Sequence, residues 1–527
     1  MTAAARAPHL SSDRKRRKPE LKKRTSGVLM PMSSLPSKYG IGNMGKEARK
    51  FIDFLEEAGQ TYWQLLPLGP TSYGDSPYAS PSSFAGNPYF IDPDDLIEKG
   101  MLSEQDLSCV EWGTDPAVVD YGAVYNNRFR VLRKAYENSR NSLSAEFEEF
   151  RRNNSGWVEN YALFMSLKVH FGMVSWTEWP EEVRLRKNDV LDYYRWELSD
   201  EIGFWVFTQY LFFSQWNELK RYADKHGIKF IGDVPIYVAL DSADVWSEPQ
   251  YFQLDEKYVP TEVAGVPPDD FTADGQLWGN PLYDWDKMKA DGYGWWIRRI
   301  EGVARLYDVI RIDHFRGIES YWAVPYGDKT AVNGKWKKGP GMELVGMLTS
   351  WFSRLEFIAE DLGYPTPEVK KLLSDSGLPG MKILQFAFYA DGESDYLPHN
   401  IEKNSVCYTG THDNETITGW LESAPEKDLR FAEEYICKAV RESWCRAMIR
   451  TGMASASVLF VCTMQDLLEL PKDCRINTPG NPQGNWRWRM LPGAADEDLA
   501  KELRHLTELY RRTEKVKKVL DESGSFI

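Results

Sequence analysis

Four predicted strands in this 527-residue chain end in acidic residues, and their surroundings differ enough to divide chemical labour among them. Residues 309–312 read Val-Ile-Arg-Ile, a buried strand that delivers Arg311 and then Asp313 at its end. Alternate residues of a strand share a face, so Arg311 and Asp313 point one way while Ile310 and Ile312 point the other. A guanidinium beside a carboxylate lowers its pKa, which suits Asp313 to attack an electrophilic carbon. Alone, an Arg-x-Asp is more simply a structural ion pair. Asp233, Glu360 with Asp361, and Asp413 preceded by His412 close three further strands. Carboxylates gathered on one rim are costly unless something positive or hydroxylated binds there. A metal site would call for His clusters or a DxDxDG-type loop, and neither occurs. Glycosidic-bond chemistry is the other use for such a group. One ionised carboxylate attacks or steadies an oxocarbenium-like centre, and a second, kept protonated, protonates the leaving oxygen. Glu360 follows Phe357-Ile358-Ala359, the more apolar local sequence, and is the candidate acid. Asp313 is the candidate nucleophile, and Asp413 beside His412 would bind sugar hydroxyls.

Residues so far apart in sequence meet only if their strands lie side by side. Strand patterns recur at 27–32, 62–68, 228–235, 309–312, 356–360, 381–387, 405–408 and 457–462. Helical patterns fall between them. Phe51, Ile52, Phe54, Leu55 and Ala58 repeat at helical spacing. Thr366-Pro367-Glu368 is an N-cap with proline at the first helical position, and residues 432–449 read as one long helix. Eight parallel strands with intervening helices are the arithmetic of an α/β protein of the (β/α)8 barrel type, whose active residues sit at the C-terminal strand ends. Two large insertions interrupt the rhythm. Residues 69–227 read as a mainly helical subdomain, with Trp157, Tyr161 and Phe164 on one helical face. Residues 236–292 hold a Gly/Pro-rich loop at 263–270, which would serve as a lid, and the run Gln276-Leu277-Trp278-Gly279-Asn280.

A net charge of −14 argues against a nucleic-acid partner. The basic residues are uneven: residues 1–24 carry nine Lys or Arg against two acidic residues. With almost nothing apolar to bury, residues 1–26 are expected to be a disordered, solvated tail, with a plastid transit peptide as the alternative. Six cysteines without CxxC spacing suit free thiols in a reducing compartment. No apolar run approaches the roughly 20 residues of a membrane span, so the expected setting is cytoplasmic. Twenty Trp and 27 Tyr exceed the needs of a core and suit the stacking of half-polar ligands such as sugars. Trp63, Trp157 and Trp216 read as core residues.

Nine motifs in order resemble the amylomaltase family, the 4-α-glucanotransferases or disproportionating enzymes of the α-amylase-like clan. They span residues from about 27 to 490. Among them are Gly74-Asp75-Ser76-Pro77-Tyr78, Gly232-Asp233-Val234-Pro235, Gln276-Leu277-Trp278-Gly279, Arg311-Ile312-Asp313-His314-Phe315-Arg316-Gly317, Ala359-Glu360-Asp361-Leu362-Gly363, Gly410-Thr411-His412-Asp413-Asn414, and Asn477-Thr478-Pro479-Gly480 with Gly484-Asn485-Trp486. The resemblance implies Asp313 as nucleophile, Glu360 as general acid/base and Asp413 as transition-state stabiliser. It implies that Arg311, His412, Asp233, Gln276, Trp278, Ser76 and Tyr78 contact the glucan, and that residues 263–270 form a lid. No cofactor or metal is implied. The expected partners are α-1,4-glucans (maltooligosaccharides, starch or glycogen), with glucose as an acceptor; nothing in the sequence speaks to oligomeric state. The basic head has no counterpart in the family pattern, and Thr478 stands where a bulkier apolar residue is expected. A hydrolase with the same residues is the nearest rival. A silent glucan-binding protein would be expected to lose one of the three carboxylates, and all three are present.

Overall fold

Twelve strands occur among the described residues of this computed structural model, which are 23–513 except 73, 270–271, 364–365 and 482. In chain order they are β1 (Thr25–Leu29), β2 (Tyr62–Gln64), β3 (Lys229–Val234), β4 (Glu262–Val266), β5 (Gln276–Pro281) and β6 (Val309–Ile312). There follow β7 (Ser320–Pro325), β8 (Lys335–Lys338), β9 (Glu356–Ala359), β10 (Gly380–Ile383), β11 (Ser405–Tyr408) and β12 (Leu459–Thr463). Eight form one parallel sheet in the order β10-β11-β12-β1-β2-β3-β6-β9. At the remaining seam the Ala359 N–H donates to the Pro379 carbonyl at 2.9 Å, so β9 meets β10 and the sheet curls into a (β/α)8 barrel. These are the eight strands that the sequence predicts, several of them leaving the ladder earlier at their C-terminal ends.

Period-two alternation sorts the strand residues. Leu29, Ile231, Val309, Ile358, Val406 and Val461 fill the barrel, while Val28, Phe230, Ile310, Phe357, Cys407 and Phe460 pack outward against the helices. Each such aliphatic side chain contributes about 1.5–3 kcal/mol by leaving water. Gly27 is needed because a Cβ there would lie 2.6 Å from the Tyr62 carbonyl on the neighbouring strand.

Four features depart from the sequence reading. The helical excursion after β2 ends in a 28-residue helix, Ser199–His226, that is itself part of the barrel wall. Tyr222 donates to Asp53 and His226 meets Glu56, both at 2.6 Å, on the helix Lys46–Glu57. Trp216 packs on Phe230 of β3, with ring centroids 4.9 Å apart. Second, residues 263–266, expected in a loop, lie in β4, within an antiparallel sheet of order β5-β4-β7-β8. That sheet joins the expected insertion to residues 320–338, which sequence reading left unassigned. Third, the single helix expected at 432–449 is two, Glu426–Ile436 and Trp444–Ala454. Cys437 breaks it with a left-handed φ of 49°, and Ser443 caps the second piece. Fourth, β1 begins inside the expected tail. Arg24 donates to the carbonyls of Met453 and Ser455 at 2.5 Å and of Tyr510 at 3.1 Å. Residues 1–22 lie outside the described residues.

Candidate active site

The register of β3 and β6 sets Asp233 opposite Arg311. One guanidinium nitrogen of Arg311 donates to both Asp233 oxygens at 2.7 Å and to Asp313 at 2.9 Å. The Asp233 side chain has no exposure at all, and it also accepts from the Tyr78 hydroxyl at 2.8 Å. Arg311 directs its Nε at the Met381 sulfur on β10, 3.4 Å away. The arginine is thereby fixed, and breaking such a buried pair by removing one partner typically costs about 3–5 kcal/mol.

Immediately after Asp313 the chain turns through His314 in the left-handed region, φ 49°. The turn aims the His314 N–H at Glu360 Oε2 (2.6 Å), and the Leu362 N–H reaches Oε1 (2.9 Å). The strand ends are stitched by the Glu360 N–H donating to Ile312 and the Phe315 N–H donating to the Glu360 carbonyl, both at 3.0 Å. Burial pushes the Glu360 carboxyl up to about 7, against the pull of Arg311, with the negative charge of Asp313 adding to the rise. Burial also pushes Asp313 up, to about 6. The expectation that Arg311 lowers this pKa holds for the direction of the ion pair alone. Desolvation outweighs it, and Asp233, which shares the guanidinium, adds its own repulsion. Asp313 keeps the guanidinium as its direct partner, and its side chain is 27% exposed to the cleft.

The third carboxylate has a different environment. Past β11, Asn414 accepts from the Thr411 N–H at 2.8 Å and pins the turn that presents His412 and Asp413. Asp413 faces the His412 Nε2 at 3.3 Å and accepts from the Asn477 amide at 2.6 Å. Burial works against its charge, but His412 and Asn477 hold it well below the usual carboxylate range. Tyr78 stacks on His412, centroids 5.2 Å apart and 21° from parallel, and Trp486 lies 5.8 Å from the Tyr78 ring. On the opposite flank, Trp278 meets His314 edge-on at 4.8 Å and donates to Gln276 at 3.1 Å.

Ser76, Tyr78, Gln276, Trp278, Arg311, Asp313, Glu360, His412 and Asp413 thus line one open cleft at the C-terminal ends of the barrel strands. Ser76 also shapes its own turn, accepting from the Tyr78 N–H at 3.2 Å. Asp233 is not in that lining; its side chain is fully buried beneath Arg311. Asp361 accepts from the Met381 N–H at 2.7 Å and serves the β9–β10 seam. Sequence reasoning gave no role to Asn477, Arg475 or Trp486, although two of them lie in quoted motifs. Arg475 donates to the Asp413 carbonyl, and all three brace the Asp413 turn or its aromatic wall. Among the described residues, no helix is long and apolar enough to cross a membrane.

A (β/α)8 barrel with a high-pKa carboxyl, a second carboxyl paired to arginine and a third fixed in its ionised form, all at the strand ends, defines a carbohydrate-active enzyme that works on glycosidic bonds. Comparison with known proteins narrows this. Residues 30–494 match the family model described as 4-alpha-glucanotransferase, and the chain belongs to that family. The 4-alpha-glucanotransferase of Clostridium butyricum is 48% identical over 487 residues, covering 92% of this chain and all of that one. Its counterpart from Thermus thermophilus is 45% identical over 502 residues, 93% of this chain and 99% of that one. The solved amylomaltase of Streptococcus agalactiae in complex with acarbose is 43% identical and superposes with a TM-score of 0.91, covering 93% of this chain and all of that chain.

Proposed function

We propose that this enzyme moves segments of α-1,4-glucan between chains by double displacement, with Asp313 as nucleophile and Glu360 as acid/base. The carrying observation is the unequal setting of the two carboxyls: Asp313 accepts from the Arg311 guanidinium at 2.9 Å, while Glu360 accepts two backbone N–H groups, from His314 and Leu362. Burial raises Glu360 and suits it to hold the proton, while the guanidinium beside Asp313 favours its ionised form. An Asp313 oxygen attacks the anomeric carbon as the bond to the departing 4-oxygen breaks, and that oxygen takes the Glu360 proton. The glycosyl–Asp313 ester is then opened by the 4-hydroxyl of another glucan or of glucose, which gives its proton back to Glu360. Two inversions retain the α-configuration. Asp413, held ionised, steadies positive charge at the sugar ring in both steps, while Arg311, His412, Gln276, Trp278, Ser76 and Tyr78 hold the glucan. Cysteines free of disulfides among the described residues suit a cytoplasmic setting.

Maltotriose alone tests the reading. Transfer gives glucose together with a ladder of longer chains, and the count of reducing ends stays flat because each step breaks one bond and makes one. Glucose and maltose alone, with rising reducing ends, would make the enzyme a hydrolase and overturn the proposal.

A further inference from the structure

We propose that Trp336 is an outer platform for the acceptor glucan, a contact that favours long acceptors over short ones; this rests on the transfer reading above. Trp336 sits on β8, an edge strand whose other members are Lys335, Lys337 and Lys338. Charged edge strands are how sheets discourage pairing with other chains, and Lys337 and Lys338 answer Glu262 and Glu319. A tryptophan in that row is out of pattern, and the residue is 42% exposed. It is nonetheless held firmly. It pairs across the ladder with Trp322, the rings 5.2 Å apart at 66°, and Trp322 is anchored by donating to the Ala331 carbonyl at 2.8 Å. The guanidinium of Arg316 lies 4.2 Å from the Trp336 ring centre. Arg316 covers one face of this fixed indole, and the partly exposed residue offers a sugar an apolar surface in the same cleft as Asp313 and Glu360.

Its place in the cleft decides which sugar. The departing and the arriving chain share the side of the acid/base. Glu360 is held by His314, Trp278 stands edge-on to His314, and Arg316, two residues further on, reaches Trp336. Asp413, His412, Tyr78 and Trp486 form the other wall. The link from Glu360 through His314 and Arg316 puts Trp336 on the Trp278 side of the cleft, and there it serves the acceptor units away from the reacting 4-hydroxyl.

The test compares wild type, Trp336→Ala, Trp336→Leu and Trp336→Phe with one donor and acceptors of rising length: glucose, maltotriose and maltohexaose. Thermal melts establish that each variant is folded. The expected result is a KM for acceptor that rises about two- to tenfold with maltohexaose in the Ala and Leu variants, a smaller rise with maltotriose and the smallest with glucose. Phe should recover most of the loss, because it restores an aromatic face. A penalty equal at every acceptor length, or none in a folded variant, would overturn the platform. Should the Ala variant not fold, the Leu and Phe pair decides alone, since both keep apolar bulk and only one keeps a ring. Wild type that makes no longer chains would instead sink the transfer reading itself.

Discussion

Replacing Glu360 with Gln should change stability and activity in ways that only a buried, protonated carboxyl explains. Burial raises this group from 4.5 to about 7. A folded-state pKa above the unfolded value means that the fold favours the protonated form. The resulting stabilisation is complete below about 4.5, declines as pH rises, and is gone above about 7. A rise of this size is worth roughly 3 kcal/mol. Glutamine cannot ionise and escapes that loss, but it meets another. Oε1 and Oε2 each accept a backbone N–H, from Leu362 and His314. The amide has one oxygen, so its NH2 group confronts one of those donors at a cost of about 1–2 kcal/mol. The variant should therefore be less stable than wild type near pH 4.5 and more stable, by about 1–2 kcal/mol, at pH 8. Guanidinium unfolding at several pH values, with unchanged m, reads this crossover directly. Turnover of maltotriose should fall roughly 10²–10⁴-fold, while α-maltosyl fluoride, whose leaving group needs no proton, should still release fluoride in a first burst. A stability difference independent of pH would refute the burial argument, and near-normal maltotriose turnover would remove Glu360 from the mechanism.

Asp233→Asn should destabilise the protein by roughly 3–5 kcal/mol, since it strips a buried guanidinium of its principal partner. Because Asp233 repels the charge on Asp313 and competes for Arg311, the residual activity should show its acid limb displaced to lower pH than in the wild type. A pH profile of kcat/KM that keeps its acid limb in this variant would detach Asp233 from the nucleophile. Deleting residues 1–22 should leave the melting temperature and turnover within error of wild type. Extending the deletion through Arg24 should cost about 1–3 kcal/mol, chiefly at the Tyr510 carbonyl, because Arg512 still donates to the carbonyls of Met453 and Ser455. A large loss from the shorter deletion would show that the basic head packs on the barrel.

What the sequence determined by itself is local in origin. Short, nearly continuous apolar runs mark the eight barrel strands, because a strand buried on both faces is apolar almost throughout, and along each one the side chains alternate between the two faces with a period of two. The same period puts Arg311 and Asp313 on one face, and their ion pair at 2.9 Å follows. The carboxylates could be found because they interrupt or end those runs. The rest waited on ring closure. Asp233 is hidden beneath Arg311 only because β3 and β6 pair in one particular register, which buries its side chain away from the cleft. The rise of the Asp313 and Glu360 pKa values comes from burial and from charges on other strands, which neighbours in sequence could not give. Asn477 reaches Asp413 across 64 residues, and β4 and β5 find β7 and β8 across the intervening β6. Helix Ser199–His226 reads as part of an insertion until Tyr222 and His226 meet Asp53 and Glu56. Pattern reports which face of an element is apolar; which other element covers that face, and which charges are shut in with it, is fixed only when the barrel closes.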